Sequence, residues 1–195
     1  MIYKSYLVEE NFSSIKNKLI LFYGENLGIK IDFKNIIKFH EKDSEIISLL
    51  QEEIIKDENS FYNKLFNYSL FDRKKVFLIN SATDKILPYI KEIEKKIDSQ
   101  KIFLFSEILD KKSKLRNFFE KSNFAGVVPC YPDTILSLNK IVNKKLRNFK
   151  NLNSININLI IESVNFDRSK LYNELDKIII FFRIKKLKLS NLDCF

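Results

Sequence analysis

Short apolar runs recur along the first two thirds of the chain, and segments with helical spacing of apolar residues separate them. Residues 19–23 (LILFY), 75–79 (KVFLI) and 101–105 (KIFLF) read as buried strands, and residues 46–50 and 126–128 as two more. Between them, Ile29, Phe33, Ile36 and Ile37 share one helical face, and a helix from about Asn59 carries Phe61, Leu65 and Tyr68. Residues 84–97 form a further helix with Pro88 in its first turn, where the ring is tolerated, and residues 112–120 another. Strands that alternate with helices pair in parallel through helical crossovers. The pattern therefore predicts an α/β fold, a parallel sheet with flanking helices.

Cys130, Tyr131, Pro132 and Asp133 break the alternation, and no strand is predicted beyond them. Pro132, Asp133 and Thr134 together signal a helix start, so the expected boundary separates a domain at 1–132 from one at 133–195. Helices are expected near 134–148, 155–164 and 167–183. In the last, Leu171, Leu175, Ile178, Ile179 and Phe182 form one stripe behind Asp167 as cap. An all-α unit of about 60 residues is marginal alone and is expected to lean on its neighbour.

Of 195 residues, 45% are hydrophobic and 13% aromatic, which suffices for a buried core and excludes a disordered chain. The net charge of +9 is uneven: residues 137–195 carry 12 Lys or Arg against 5 Asp or Glu, and residues 1–136 carry 22 against 20. The basic excess of the second region has two readings, a surface near nucleic acid or a solvated helix face in a lysine-rich composition. Cys130 and Cys194 have no metal-ligand spacing. No apolar run approaches the roughly 20 residues that span a bilayer, and the charged N-terminus lacks a signal-peptide stretch, so a cytoplasmic protein without membrane contact is expected. His40, the one histidine, is expected on the surface at a helix end.

The strand, turn and helix from residue 19 to 37 stands where a nucleotide-binding sheet carries its phosphate loop. A working loop needs G-x-x-x-x-G-K followed by Ser or Thr, so that backbone amides cradle phosphate, the lysine meets the outer phosphates and the hydroxyl holds magnesium. Here the order is Gly24, Glu25, Asn26, Leu27, Gly28, Ile29, Lys30, Ile31. The glycine spacing is wrong, Ile29 splits the Gly-Lys pair, and Ile31 stands in the hydroxyl position. The strand at 101–105 ends in Ser106 and Glu107 rather than in an acidic pair for magnesium. With no G-x-S-x-G turn and no paired carboxylates, no catalytic, cofactor or metal residue is expected.

The helix after Asn59 is expected to close with Ser69, Leu70 and Phe71, just before the charged turn Asp72, Arg73, Lys74, Lys75. Two large apolar residues at such a place either seal the core or project as a plug for a partner's pocket.

Taken in order, LILFYGEN, NYSLFDRKKVFLIN, KIFLFSEILDKKSKLRNFFE, GVVPCYPD and DRSKLYNELDKIIIFF resemble the delta subunit of the bacterial DNA polymerase III clamp loader across nearly the whole chain. The resemblance implies an AAA+-like parallel sheet followed by a small all-α lid domain, without a working ATP site. It implies a cofactor-free accessory subunit of a DNA-directed DNA polymerase (nucleotidyltransferase) holoenzyme that opens the sliding clamp during DNA replication. Leu70 and Phe71 become the clamp anchors, and Ser69 supports their presentation. The implied partners are the sliding clamp (beta subunit), the delta-prime and tau/gamma loader subunits, and primed DNA near the basic second domain. The family's third domain, a helical collar, is expected to be absent from a sequence that stops at Phe195. Two rival readings are a nucleotide-dependent enzyme with a divergent loop and a basic nucleic-acid-binding module that makes no clamp contact.

Overall fold

A computed structural model describes residues 1–67, 74–149 and 153–190, with residues 184–190 as backbone only. The chain divides into two compact units, Met1–Tyr131 and Pro132–Phe195.

The first unit runs α1 (Ser5–Glu10), β1 (Leu19–Tyr23), α2 (Leu27–His40), β2 (Glu45–Leu50), α3 (Gln51–Lys56), α4 (Glu58–Phe66), β3 (Lys75–Asn80), α5 (Leu87–Ile93), β4 (Lys101–Phe105), α6 (Lys114–Lys121) and β5 (Ala125–Pro129). The strands form one parallel sheet of order β2-β3-β4-β1-β5. In the register, Leu21 lies beside Leu104 of β4 on one side and Val127 of β5 on the other. This is the predicted α/β class.

Helices cover both faces of the sheet, which is why β1, β3, β4 and β5 are buried along nearly their whole length, whereas the edge strand β2 keeps exposed positions. On one face Ile20, Phe22, Val76, Leu78, Phe103 and Phe105 pack against Phe33 and Ile37 of α2 and Val8 of α1. The opposite side chains, among them Leu21, Phe77 and Leu104, pack on Ile54, Phe61, Leu65, Ile90 and Phe119 from α3 to α6. His40 ends α2 on the surface, its ring 5.2 Å from Phe12.

Several boundaries differ from the sequence expectation. The helix expected to run through Tyr68 stops at Phe66, because Asn67 turns extended (φ −80°, ψ 116°). Residues 84–97 split into a 3-10 turn, Asp84–Ile86, and the shorter α5, with Pro88 at its start. The short helix α3 had no counterpart in the sequence reading.

In the second unit α7 (Ile135–Lys145), α8 (Ser154–Ser163) and α9 (Arg168–Ser190) enclose a core of Leu138, Val142, Ile157, Ile161, Leu171 and Leu175. Thr134 caps α7 by accepting from the Ser137 amide at 3.2 Å, and Asp167 accepts from the Lys170 amide at 2.9 Å. No helix among the described residues is long and apolar enough to cross a membrane.

Candidate functional site

In this strand order the connection after β1 leads toward β2, while the connection after β4 leads the other way, to β5. The chain parts at the carboxyl ends of β1 and β4, and such a crevice is where open α/β sheets take ligands. Gly24 and Ser106 follow those two strand ends directly. Gly24 has φ +132°, and a Cβ there would lie 2.3 Å from the Cys130 carbonyl oxygen, so the turn requires glycine.

Backbone amides that a phosphate loop would leave open are engaged within the chain. Gly24 donates to the Glu107 carbonyl at 3.0 Å, Asn26 to the Cys130 carbonyl at 3.1 Å, and Lys30 to the Asn26 carbonyl at 3.3 Å. The Asn26 side chain caps α2 by accepting from the Ile29 amide at 3.0 Å, and its Nδ2 donates to the Tyr131 carbonyl at 3.1 Å. Helix α2 therefore begins at Leu27, where a phosphate loop would still be open backbone.

Lys30 completes the closure. It is buried, and its Nζ donates to the carbonyls of Gly24 at 2.8 Å and Ser106 at 3.0 Å, bridging the ends of β1 and β4. Burial lowers its pKa from the ordinary lysine value, with Cys130 and Glu107 pulling the other way. The Ser106 hydroxyl is itself engaged with the Ala82 carbonyl at 2.5 Å, and Glu107 is exposed. An ammonium from the chain itself thus lies between the strand ends at the switch point. Among the described residues no group of three or more His, Cys, Asp or Glu is arranged to hold a metal ion.

The other site read from the sequence, Ser69, Leu70 and Phe71, lies outside the described residues, and hydrogen bonds hold the chain on either side of it. The last carbonyls of a helix need donors from elsewhere. At the end of α4, Lys75 Nζ supplies them to the carbonyls of Lys64 at 3.1 Å and Asn67 at 2.8 Å, and Gln100 Nε2 donates to the Leu65 carbonyl at 2.9 Å. On the other side the Lys74 carbonyl accepts from the Glu45 amide of the edge strand β2 at 2.8 Å. Segment 68–73 therefore joins two fixed points, and Lys75 ties the first residue of β3 back to the residue that ends α4. Sequence reading missed this function of Lys75; the available signal was a lysine opening an otherwise buried strand.

A parallel five-stranded sheet with this order and helices on both faces, accompanied by a second helical unit, is an α/β fold of the AAA+-like kind. The solved structures agree in fold. The Bacillus subtilis DNA clamp loader delta protein is similar with a TM-score of 0.60 at 11% identity, over 91% of this chain and 57% of that one. A mutant RuvB of Thermotoga maritima is similar with a TM-score of 0.54 at 14% identity, over 93% of this chain and 60% of that one. This chain thus spans somewhat over half the length of either protein, and at such identities the likeness establishes the fold alone. No family model matches the chain, and no curated protein matches it in sequence.

Proposed function

We propose that the chain acts in DNA replication as a delta-type clamp-loader subunit, a protein that binds the sliding clamp and opens it without hydrolysing ATP. The observation that best supports this reading is Lys30 in the crevice between β1 and β4. An ammonium in that place supports reading the sheet as a scaffold rather than an ATPase. The fold shared with the Bacillus subtilis clamp loader delta protein is consistent with that role.

Leu70 and Phe71 are the proposed anchors, with Ser69 supporting them, between the fixed Asn67 and Lys74. Burying two such side chains in a partner's pocket contributes roughly 3–6 kcal/mol before the costs of association. A ligand shifts a conformational equilibrium only by its differential affinity for the two states. The anchors therefore open the ring to the extent that they bind its strained interface better than its closed one. Delta-prime and tau/gamma subunits would supply the ATP-driven step, and the helical second unit would serve as the lid.

The rival reading places function in the basic second unit. Among the described residues three of its cations are already paired there, Lys145 with Asp176 at 3.1 Å, Lys177 with Glu174 at 3.1 Å and Arg168 with Asp133 at 2.6 Å, which reduces the charge available for phosphate. Titrating the purified sliding clamp of the same organism with this chain, without nucleotide and then without clamp but with duplex DNA, separates the two. Saturable clamp binding without ATP is expected. DNA binding that K144Q/R147Q in the second unit abolishes, with no clamp binding, would support the rival instead.

A further inference from the structure

Lys34 and Lys38 of α2, followed by Lys42 just past its end, recur every fourth residue on one side of the helix. At 1.5 Å rise per residue, successive members of such a row stand about 6 Å apart along the axis. They form one wall of a groove of about 730 Å³. Ile46, Ser48, Leu78 and Asn80 of β2 and β3 complete its lining.

Three lysines and no carboxylate line the groove. The partners of Lys34 are neutral: its Nζ donates to Asn80 Oδ1 at 2.6 Å and lies 4.7 Å over the Phe105 ring. Among the described residues no ion pair involves Lys34, Lys38 or Lys42. The adjoining carboxylate, Glu41, is engaged by Lys101, and Asp43 is exposed in the turn beside Lys42. The pKa of Lys34 is lowered first by burial and then by repulsion from Lys30 and Lys38. Asn80 is oriented by donating to Ser48 Oγ at 3.0 Å, which leaves the Ser48 hydroxyl proton for a ligand.

The chemistry that fits a line of point cations at this spacing, with a hydroxyl donor at its end, is a line of phosphates. An acidic peptide would use main-chain bonds, and α2 offers none, since its backbone is closed by its own helix. The open edge of β2 faces sideways along the sheet rather than into a groove floored by side chains. We propose that this groove binds the phosphodiester backbone of a nucleic-acid strand, with Lys34, Lys38 and Lys42 meeting successive phosphates and Ser48 donating to one of them. The groove has no base-edge donors in a row, so recognition is independent of sequence. The site is built from residues of the first unit alone and does not depend on clamp binding.

The test uses the full chain, without clamp, and a fluorescent single-stranded oligothymidylate titrated at a series of salt concentrations. Lys38 and Lys42 are exposed, so K38Q/K42Q is expected to keep the wild-type melting temperature. Its affinity should fall at least tenfold at low salt, and the slope of log K against log salt should shrink by about 1.4, two phosphates at roughly 0.7 each for a single strand. A control pair with the same charge loss in the second unit, K144Q/R147Q, should leave that slope unchanged. An equal or larger effect of the control pair would overturn the proposal, as would wild-type protein that does not bind the oligonucleotide. Inorganic tripolyphosphate and polyglutamate serve as competitors; displacement by either at concentrations comparable to oligonucleotide phosphate would also overturn it.

Discussion

Asp84 caps a helix that starts thirty residues later. Its carboxylate accepts from the Ser113 hydroxyl at 2.6 Å and from the amides of Leu115 at 2.9 Å and Lys114 at 3.0 Å, which open α6. Burial pushes its pKa up, but the Ser113 hydroxyl and the two amides outweigh that and hold it below the ordinary aspartate value. A depressed folded-state pKa means stabilisation that is full above the unfolded value of about 3.9 and is lost as pH falls through the folded one. D84A should therefore cost about 1 kcal/mol in urea unfolding at neutral pH, as loss of a cap does, and progressively less in acid. An undiminished difference in acid would assign the effect to packing. Arg168 makes a different kind of contact. Its Nε and Nη2 donate to Asp133 at 2.9 and 2.6 Å, with both side chains only 2% exposed. Removing one member of a buried pair strands the other, so R168A should destabilise the second unit by about 3–5 kcal/mol, read from hydrogen exchange of α7 and α9. The sequence presented Asp133 as part of a helix start. Its partner lies 35 residues away, and no local spacing points to it.

Elements were legible in proportion to how far their patterns are set locally. All five strands could be read as apolar runs because helices cover both faces of the sheet. The end of α4 could not, because the donors that complete it come from Lys75 and Gln100, beyond the helix itself. Periodicity continued to Tyr68, whereas the helix stops at Phe66. Helix α3 is only six residues long, too short to display a period. Likewise the departure of residues 24 to 31 from a phosphate-loop pattern was visible in their order, but the inward course of Lys30 was not. If Lys75 fixes the support of the anchor segment, K75M should leave helix-end carbonyls unsatisfied. It should lower stability by about 1–3 kcal/mol and weaken clamp binding as well. A stability loss with unchanged clamp affinity would confine Lys75 to the fold.

For the whole molecule, the closed crevice makes a prediction that needs no partner. A ligand that binds the folded state at one hundred times its Kd adds about 2.7 kcal/mol of stability. Saturating Mg-ATP should leave the melting temperature of this chain unchanged, and a clear rise would mean that Lys30 yields its place to phosphate. The central claim is that two apolar side chains on a nucleotide-free AAA+-like scaffold grip a ring-shaped partner. It is tested most directly by titrating the sliding clamp with wild-type protein and with L70A/F71A, after both are shown to melt alike. The account predicts a loss of at least about a hundredfold in affinity, or roughly 2.7 kcal/mol. Equal affinity of a folded double mutant would contradict it.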